Sequence, residues 1–279
     1  MKLACLTGGG DAPGLNAVLR GLVLQANLGG ATVTGYLRGW KGLIDGSKRA
    51  LSPEDVADIQ RQGGTVILSS RTNPAKIENG YEIVKKRLKE DGIDCLVAIG
   101  GEDTLGVASR LHGEHNQKVI GVPKTIDNDL SATDVTFGFD TAINIAMDCL
   151  DKLHTTACSH ERVLVVEIMG RHAGWMALEA GVAGGAHAIL IPEKKFSVKE
   201  ICEVIEKRYN SGHRYALIAV AEGAEPADPA ELGEAQASEL DSFGHVKLGG
   251  IAERLAKTIE KKTKRETRHA VLGHIQRGG

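Results

Sequence analysis

Apolar residues in this chain come in short unbroken runs, each closed by a glycine-rich or charged loop. Leu3-Ala4-Cys5-Leu6, Cys95-Leu96-Val97-Ala98-Ile99 and Lys118-Val119-Ile120-Gly121-Val122 are three of them. Runs of this length, bounded by turn residues, predict strands. Strand-like runs end near Leu6, Gly35, Leu68, Ile99, Val122, Glu167, Ile191, Ala221 and Leu272. Helical patterns fill most of the intervals. Ala17 to Gln25 reads as a helix, Thr141 to Thr155 as a long one, and Ser197-Val198-Lys199-Glu200 as a capping box opening a helix to about Tyr209. Ser52-Pro53-Glu54-Asp55 has the capping serine, first-turn proline and acids of another helix start. Strand, short loop and helix in repeated alternation predict an α/β fold with parallel sheets. A domain boundary is expected around Phe139. Pro226-Ala227-Asp228-Pro229 and the acidic stretch to Asp241 are expected to form a surface insertion.

Charge and composition narrow the function. A length of 279 residues and a formal net charge of −2 fit one large or two ordinary domains and argue against a nucleic-acid binder. The five cysteines lack paired metal spacing, which predicts reduced thiols and a cytoplasmic protein. Met1-Lys2 leads directly into the first strand, leaving no room for a signal peptide, and no apolar stretch approaches the ~20 residues of a membrane span.

The loops after the strands carry the chemistry. Thr7-Gly8-Gly9-Gly10-Asp11-Ala12-Pro13-Gly14-Leu15-Asn16 stands between a strand and a helix, where glycines let backbone N–H groups approach an anion. A dinucleotide fingerprint is incomplete, because Pro13 occupies the place of its third glycine and no acid follows the second strand. The P-loop and protein-kinase motifs are absent. Gly100-Gly101-Glu102-Asp103-Thr104 and Pro123-Lys124-Thr125-Ile126-Asp127-Asn128-Asp129 each follow a strand. In a parallel sheet such loops border one crevice, so four carboxylates, a lysine and two glycines are expected to converge. Alone, Glu102 and Asp103 also suit a solvated helix start, and Asp127 and Asp129 an Asx-type turn. Read as a site, the set suits Mg²⁺, a polyphosphate and a proton-accepting base. Arg171 and Arg277 have the planar fork that fits phosphate oxygens.

These motifs, with Met169-Gly170-Arg171 and Gly273-His274-Ile275-Gln276-Arg277-Gly278-Gly279, closely resemble those of bacterial-type phosphofructokinases, from the first strand to the last residue. The resemblance implies two Rossmann-like three-layer parallel-sheet domains with the active site in the cleft between them. Residues 1–138 would take the phosphoryl donor and Mg²⁺. Residues 139–279 would take fructose 6-phosphate, the chain end returning towards the first domain. Relative to the family pattern the chain stops at Gly279, without the family's C-terminal segment. Asp127 would be the base, with Lys124, Asp103, Asp129 and Arg171 also catalytic. Glu102 would hold Mg²⁺, and Gly9, Gly10 and Arg71 the donor. Thr125, Ile126, Met169, Gly170, Arg171 and Glu222 would meet the sugar. Arg162, Arg268, His274, Ile275, Gln276 and Arg277 would surround its 6-phosphate, Arg162 and Arg268 reaching in from a neighbouring subunit of a homodimer or homotetramer.

ATP-using members carry glycine where Asp103 and Lys124 stand, so this pair resembles the pyrophosphate-dependent branch. A carboxylate at Asp103 would stand near the place of the α-phosphate of ATP, and Lys124 would supply a cation where the leaving phosphate develops charge. The alternatives are an ATP-dependent phosphofructokinase and a catalytically silent regulatory paralogue; intact Asp127, Asp129, Arg171 and Glu102 argue against the latter. No nucleic-acid or membrane partner is expected.

Overall fold

The computed structural model describes residues 1–232 and 249–279. The later part of the expected insertion, beyond Leu232, lies outside the described residues. The chain divides into two compact units. Met1–Thr125, Asp129–Gly138 and Gly279 form the first; Ile126–Asn128 and Phe139–Gly278 form the second.

The first unit runs β1 (Lys2–Gly8), α1 (Leu15–Leu28), β2 (Thr32–Tyr36), α2 (Trp40–Asp45), β3 (Lys48–Leu51), α3 (Gly80–Glu90), β4 (Cys95–Gly100), α4 (Glu102–Gly113), β5 (Val119–Thr125) and β6 (Phe137–Gly138). Its sheet has the order β3-β2-β1-β4-β5-β6, parallel except where β3 pairs with β2. Alternation along the strands explains the continuous apolar runs. Ala4, Leu6, Leu96 and Ala98 face a core with Trp40 and Leu43 of α2, Leu88 of α3 and Leu111 of α4. Cys5, Val97 and Ile99 face a second core with Leu15, Leu19 and Val23 of α1. Helices on both faces of a buried parallel sheet make three layers. The sheet order reverses at β1 and β4, so the loops leaving these strands flank a crevice of the kind that takes ligands.

The second unit runs α5 (Phe139–Ser159), β7 (Val163–Ile168), α6 (Trp175–Ala183), β8 (Ala188–Leu190), α7 (Val198–Asn210), β9 (Ala216–Ala221), α8 (Ile251–Thr263) and β10 (Thr267–Val271). Its sheet is parallel throughout, in the order β10-β7-β9-β8. β7 and β9 are buried along their whole length between the apolar faces of the helices. Ser197 caps α7 as expected, its side chain accepting from the Glu200 N–H.

Several local expectations need correction. The apolar run ending at Leu68 forms a turn, with Leu68 exposed at φ 61°. The segment from Ser52 makes two short 3₁₀ turns, Glu54–Val56 and Ile59–Arg61, in place of an α-helix, with the Asp55 carboxylate accepting from both the N–H and hydroxyl of Ser52 at 2.8 Å. The short strands β3 and β6 lack a periodic signal and depend on their neighbours. All five cysteines are free thiols, and burial pushes that of Cys5 up to about 12. Among the described residues no helix is long and apolar enough to cross a membrane.

Glu167 is a structural acid that the strand pattern conceals. It is 3% exposed inside β7, and its two oxygens accept from the N–H groups of Gly250 (3.1 Å) and Ala252 (3.0 Å) at the start of α8. The first amides of a helix have no partner within it, so a buried carboxylate there satisfies two orphan donors and meets the positive end of the dipole. Glu167→Ala is expected to lower unfolding stability by roughly 2–4 kcal/mol, the cost of two stranded amides. A urea midpoint equal to that of the unmodified protein would refute this capping role.

Candidate active site

In the first unit, the ends of three adjacent strands bring the donor candidates together. Gly8 of β1 pairs with Gly100 of β4, and Gly100 with Pro123 of β5, so the loops that follow leave from one level. Thr104, 3% exposed in the first turn of α4, fills the space between these ends. A Cβ on Gly100 would stand 2.6 Å from the Thr104 hydroxyl, and one on Gly8 would collide with the same side chain. Both glycines are therefore steric requirements of the packed turn.

Lys124 is 4% exposed, and its ammonium donates to the carbonyl of Gly10. The nitrogen lies 3.9 Å from where a Cβ on Gly9 would stand. This places a buried cation directly against the glycine-rich turn. Glu102 and Asp103 begin α4 and are exposed, where helix-terminal carboxylates face the positive dipole end. One expectation changes here. The Gly9 N–H does not face a ligand, because it donates to the Ser70 carbonyl at 3.0 Å. A cleft of about 380 Å³ instead opens between Gly9, Gly10 and Asp11 on one side and Ser69, Ser70 and Arg71 on the other. Arg71 thus meets the expected glycines through a segment without regular secondary structure.

In the second unit, the candidates gather at the C-terminal ends of β7, β9 and β10. Met169-Gly170-Arg171 follows β7 with Gly170 at φ 145° and Arg171 at φ 50°, a sharply bent backbone. Glu222 holds it: Oε1 accepts the N–H groups of Gly170 at 3.2 Å and Arg171 at 2.9 Å. Gln276 holds the other side, its Oε1 accepting from the Met169 N–H at 3.2 Å. Gln276 is fully buried, with Nε2 3.6 Å from the Met176 sulfur, so its side chain supports the loop. His274 and Ile275 are exposed, and Arg277 donates to the Gly278 carbonyl at 2.6 Å.

Arg162 and Arg268 lie elsewhere. Arg162 immediately precedes β7 and Arg268 is the second residue of β10, so both stand at the N-terminal end of the sheet. Glu266 lies between them, 3.1 Å from Arg162 and 2.6 Å from Arg268. Strand β7, Val163–Ile168, separates them from Met169-Gly170-Arg171 by roughly 20 Å.

Thr125 ends β5 in the first unit, with its carbonyl accepting from the buried hydroxyl of Thr136 at 2.9 Å. Ile126, Asp127 and Asn128 belong to the second unit, Ile126 packing against its core, and Asp129 returns to the first. Asp127 is half-buried, between this anchor and Asn128 at φ 52°.

The sequence profile of phosphofructokinase matches residues 2–279. The chain belongs to the phosphofructokinase family. A Streptomyces coelicolor relative named pyrophosphate–fructose 6-phosphate 1-phosphotransferase is 53% identical over 280 residues, covering 100% of this chain and 81% of its own. A Corynebacterium efficiens relative named ATP-dependent 6-phosphofructokinase is 49% identical over 281 residues, covering 100% of this chain and 80% of its own. Among solved structures, the pyrophosphate-dependent phosphofructokinase of Marinobacter aquaeolei superposes with a TM-score of 0.80 at 25% identity, covering 100% of this chain and 70% of its own. The two-sheet α/β architecture is thus the phosphofructokinase fold, and the family's glycolytic phosphoryl transfer is the activity in which the site is to be understood.

Proposed function

We propose that this chain transfers a phosphoryl group from pyrophosphate to the 1-hydroxyl of fructose 6-phosphate, giving fructose 1,6-bisphosphate and phosphate. The observation that carries the donor is Lys124, a buried ammonium held on the Gly10 carbonyl beside the glycine-rich turn. A fixed cation there suits a small, highly charged donor and the charge that grows on its leaving phosphate. Asp103 adds a carboxylate that would oppose the extra phosphate of a nucleotide. The relative at 53% identity bears a pyrophosphate name, and the relative at 49% bears an ATP name, so the ATP-dependent reaction is the second reading.

In the proposed step Asp127 accepts the proton of the 1-hydroxyl, the hydroxyl oxygen bonds to the transferred phosphorus, and the bridging P–O bond breaks with its electrons leaving on phosphate. Asp129 keeps its charge and assists the placement of the base. Arg171, on the loop that Glu222 and Gln276 hold, meets phosphoryl oxygens. Thr125, Ile126, Met169, Gly170 and Glu222 contact the sugar, and His274, Ile275 and Arg277 surround its 6-phosphate; Gln276 supports the Met169 loop. Gly9, Gly10 and Arg71 border the donor.

Mg²⁺ asks for one or two carboxylates, the remainder being water and substrate phosphate oxygens. Among the described residues no cluster of three or more ligating side chains exists, and the exposed Glu102 carboxylate fits the lighter demand. When bound, the ion would neutralise phosphate charge. The deciding experiment measures fructose 6-phosphate turnover with Mg²⁺ and either donor. Activity with pyrophosphate well above that with ATP supports the reading; the reverse order replaces it with the ATP-dependent one.

Arg162 and Arg268 complete the sugar-phosphate site of a neighbouring subunit in a homo-oligomer. Their position one strand length from their own Met169-Gly170-Arg171 loop supports this. Each charge-assisted contact is worth ~1.5–3 kcal/mol. Mixed oligomers of Arg162→Ala and Asp127→Ser chains are therefore expected to recover activity that neither variant shows alone. No recovery in oligomers shown to be mixed would refute shared sites.

A further inference from the structure

We infer that segment 62–71 is a preorganised wall of the donor cleft, and that Thr7 and Asn16 are the positioning residues that hold it. The inference rests on the donor reading above. The segment has no helix or strand ladder of its own to satisfy its backbone beyond Arg61. Ile67 is buried and most of the rest is half-buried, so backbone groups turned inward need other partners, and two buried side chains supply them. Asn16, 1% exposed in the first turn of α1, donates from Nδ2 to the Gln62 carbonyl at 3.0 Å and accepts the Val66 N–H at Oδ1 at 2.9 Å. Thr7, fully buried in β1, donates to the Leu68 carbonyl at 2.8 Å, with the Thr65 hydroxyl at 3.0 Å.

Beyond these anchors the chain is sewn to the glycine-rich turn. The Gly9 N–H donates to Ser70, and the Ser69 hydroxyl donates back to the Gly9 carbonyl. The Arg38 N–H takes the Ile67 carbonyl at 2.9 Å, and the Ser70 hydroxyl reaches the Arg38 carbonyl at 2.6 Å. Leu68 is held at φ 61°, a left-handed conformation that a leucine keeps only where its surroundings impose it. The result is that Ser69, Ser70 and Arg71 face Gly9, Gly10 and Asp11 across the 380 Å³ cleft. A wall ordered before the donor arrives spares the binding step the cost of ordering it. Thr7 and Asn16 border no part of that cleft, so they act through the segment alone.

The test uses Thr7→Val, which keeps volume and removes the hydroxyl, Thr7→Ser, which restores it, and Asn16→Asp, which keeps the acceptor and removes the donor. Thr7→Val and Asn16→Asp are expected to raise KM for pyrophosphate about tenfold, the worth of one such bond. KM for fructose 6-phosphate should stay within about twofold, and Thr7→Ser should recover most of the loss. A uniform rise of both KM values, unchanged donor KM, or a serine variant as impaired as the valine would overturn the inference. Should the unmodified protein use ATP alone, the donor reading fails, and the same shift in KM for ATP still decides this one. If neither donor is turned over, calorimetric binding of pyrophosphate replaces KM: weaker binding by Thr7→Val supports the wall, and equal or absent binding overturns it.

Discussion

Asp127→Ser is expected to lower turnover by about 10² to 10⁴, leaving both KM values nearly unchanged. That range is the usual worth of a positioned general base, lost here because a serine hydroxyl takes no proton from a sugar hydroxyl near neutral pH. The local structure supports a rigid base. Ile126, partly buried, packs against the apolar core of the second unit, and Asn128 turns the chain at φ 52° immediately after Asp127. A residue so flanked has few backbone conformations to explore, which favours one carboxylate orientation. Pre-steady-state measurement of the transfer step isolates the effect from product release. Turnover within about a factor of three of the unmodified enzyme would show that another group takes the proton.

Asp103→Gly is expected to admit ATP. Asp103 is exposed, and like charges a few ångströms apart near a protein surface oppose each other by about 1–4 kcal/mol, so removing one should raise kcat/KM for ATP by about tenfold or more. Specificity set by repulsion is released by deleting the repelling group. Pyrophosphate use should fall together with this gain if Asp103 also orients the metal. Lys124→Gly makes the complementary case. Its ammonium is buried against the Gly10 carbonyl, so its loss should weaken pyrophosphate turnover without conferring ATP use, the blocking carboxylate being still present. Steady-state kinetics of the three proteins with both donors separate these outcomes. ATP activity in the unmodified protein comparable to that with pyrophosphate would defeat the assignment.

The candidate site was legible because its residues stand where a periodic pattern stops. Glu102, Asp103, Lys124 and Asp127 each lie within about five residues of the end of an apolar run, where the loops of a parallel sheet border a crevice. Gly8 and Gly100 were legible as turn glycines, although their reason, the Thr104 side chain wedged between two strand ends, belongs to packing. Gln276 was read with its neighbours as a substrate contact, and only its burial turns the amide towards Met169. Glu167 reads only as the end of a strand-like run, and its task as the cap of α8 joins it to Gly250 and Ala252, more than eighty residues later in the chain.

By itself the sequence determined the elements whose signals are local. Short apolar runs, capping residues such as Ser197, and glycines at strand ends specify strands, helices and tight turns through contacts within a few residues. The parallel α/β class follows from their alternation. The tertiary structure alone decided what depends on partners distant in sequence. It turned the apolar run at Leu68 into a loop, since Thr7, Asn16 and Arg38 supply hydrogen bonds that a strand would have taken from a ladder. It closed the Gly9 amide to ligands by giving it the Ser70 carbonyl. It set Arg162 and Arg268 at the far end of their own sheet by the registers of β7 and β10. The first two outcomes rest on polar groups finding partners distant in sequence and the third on the register of distant strands, and neither is contained in a local pattern of residues.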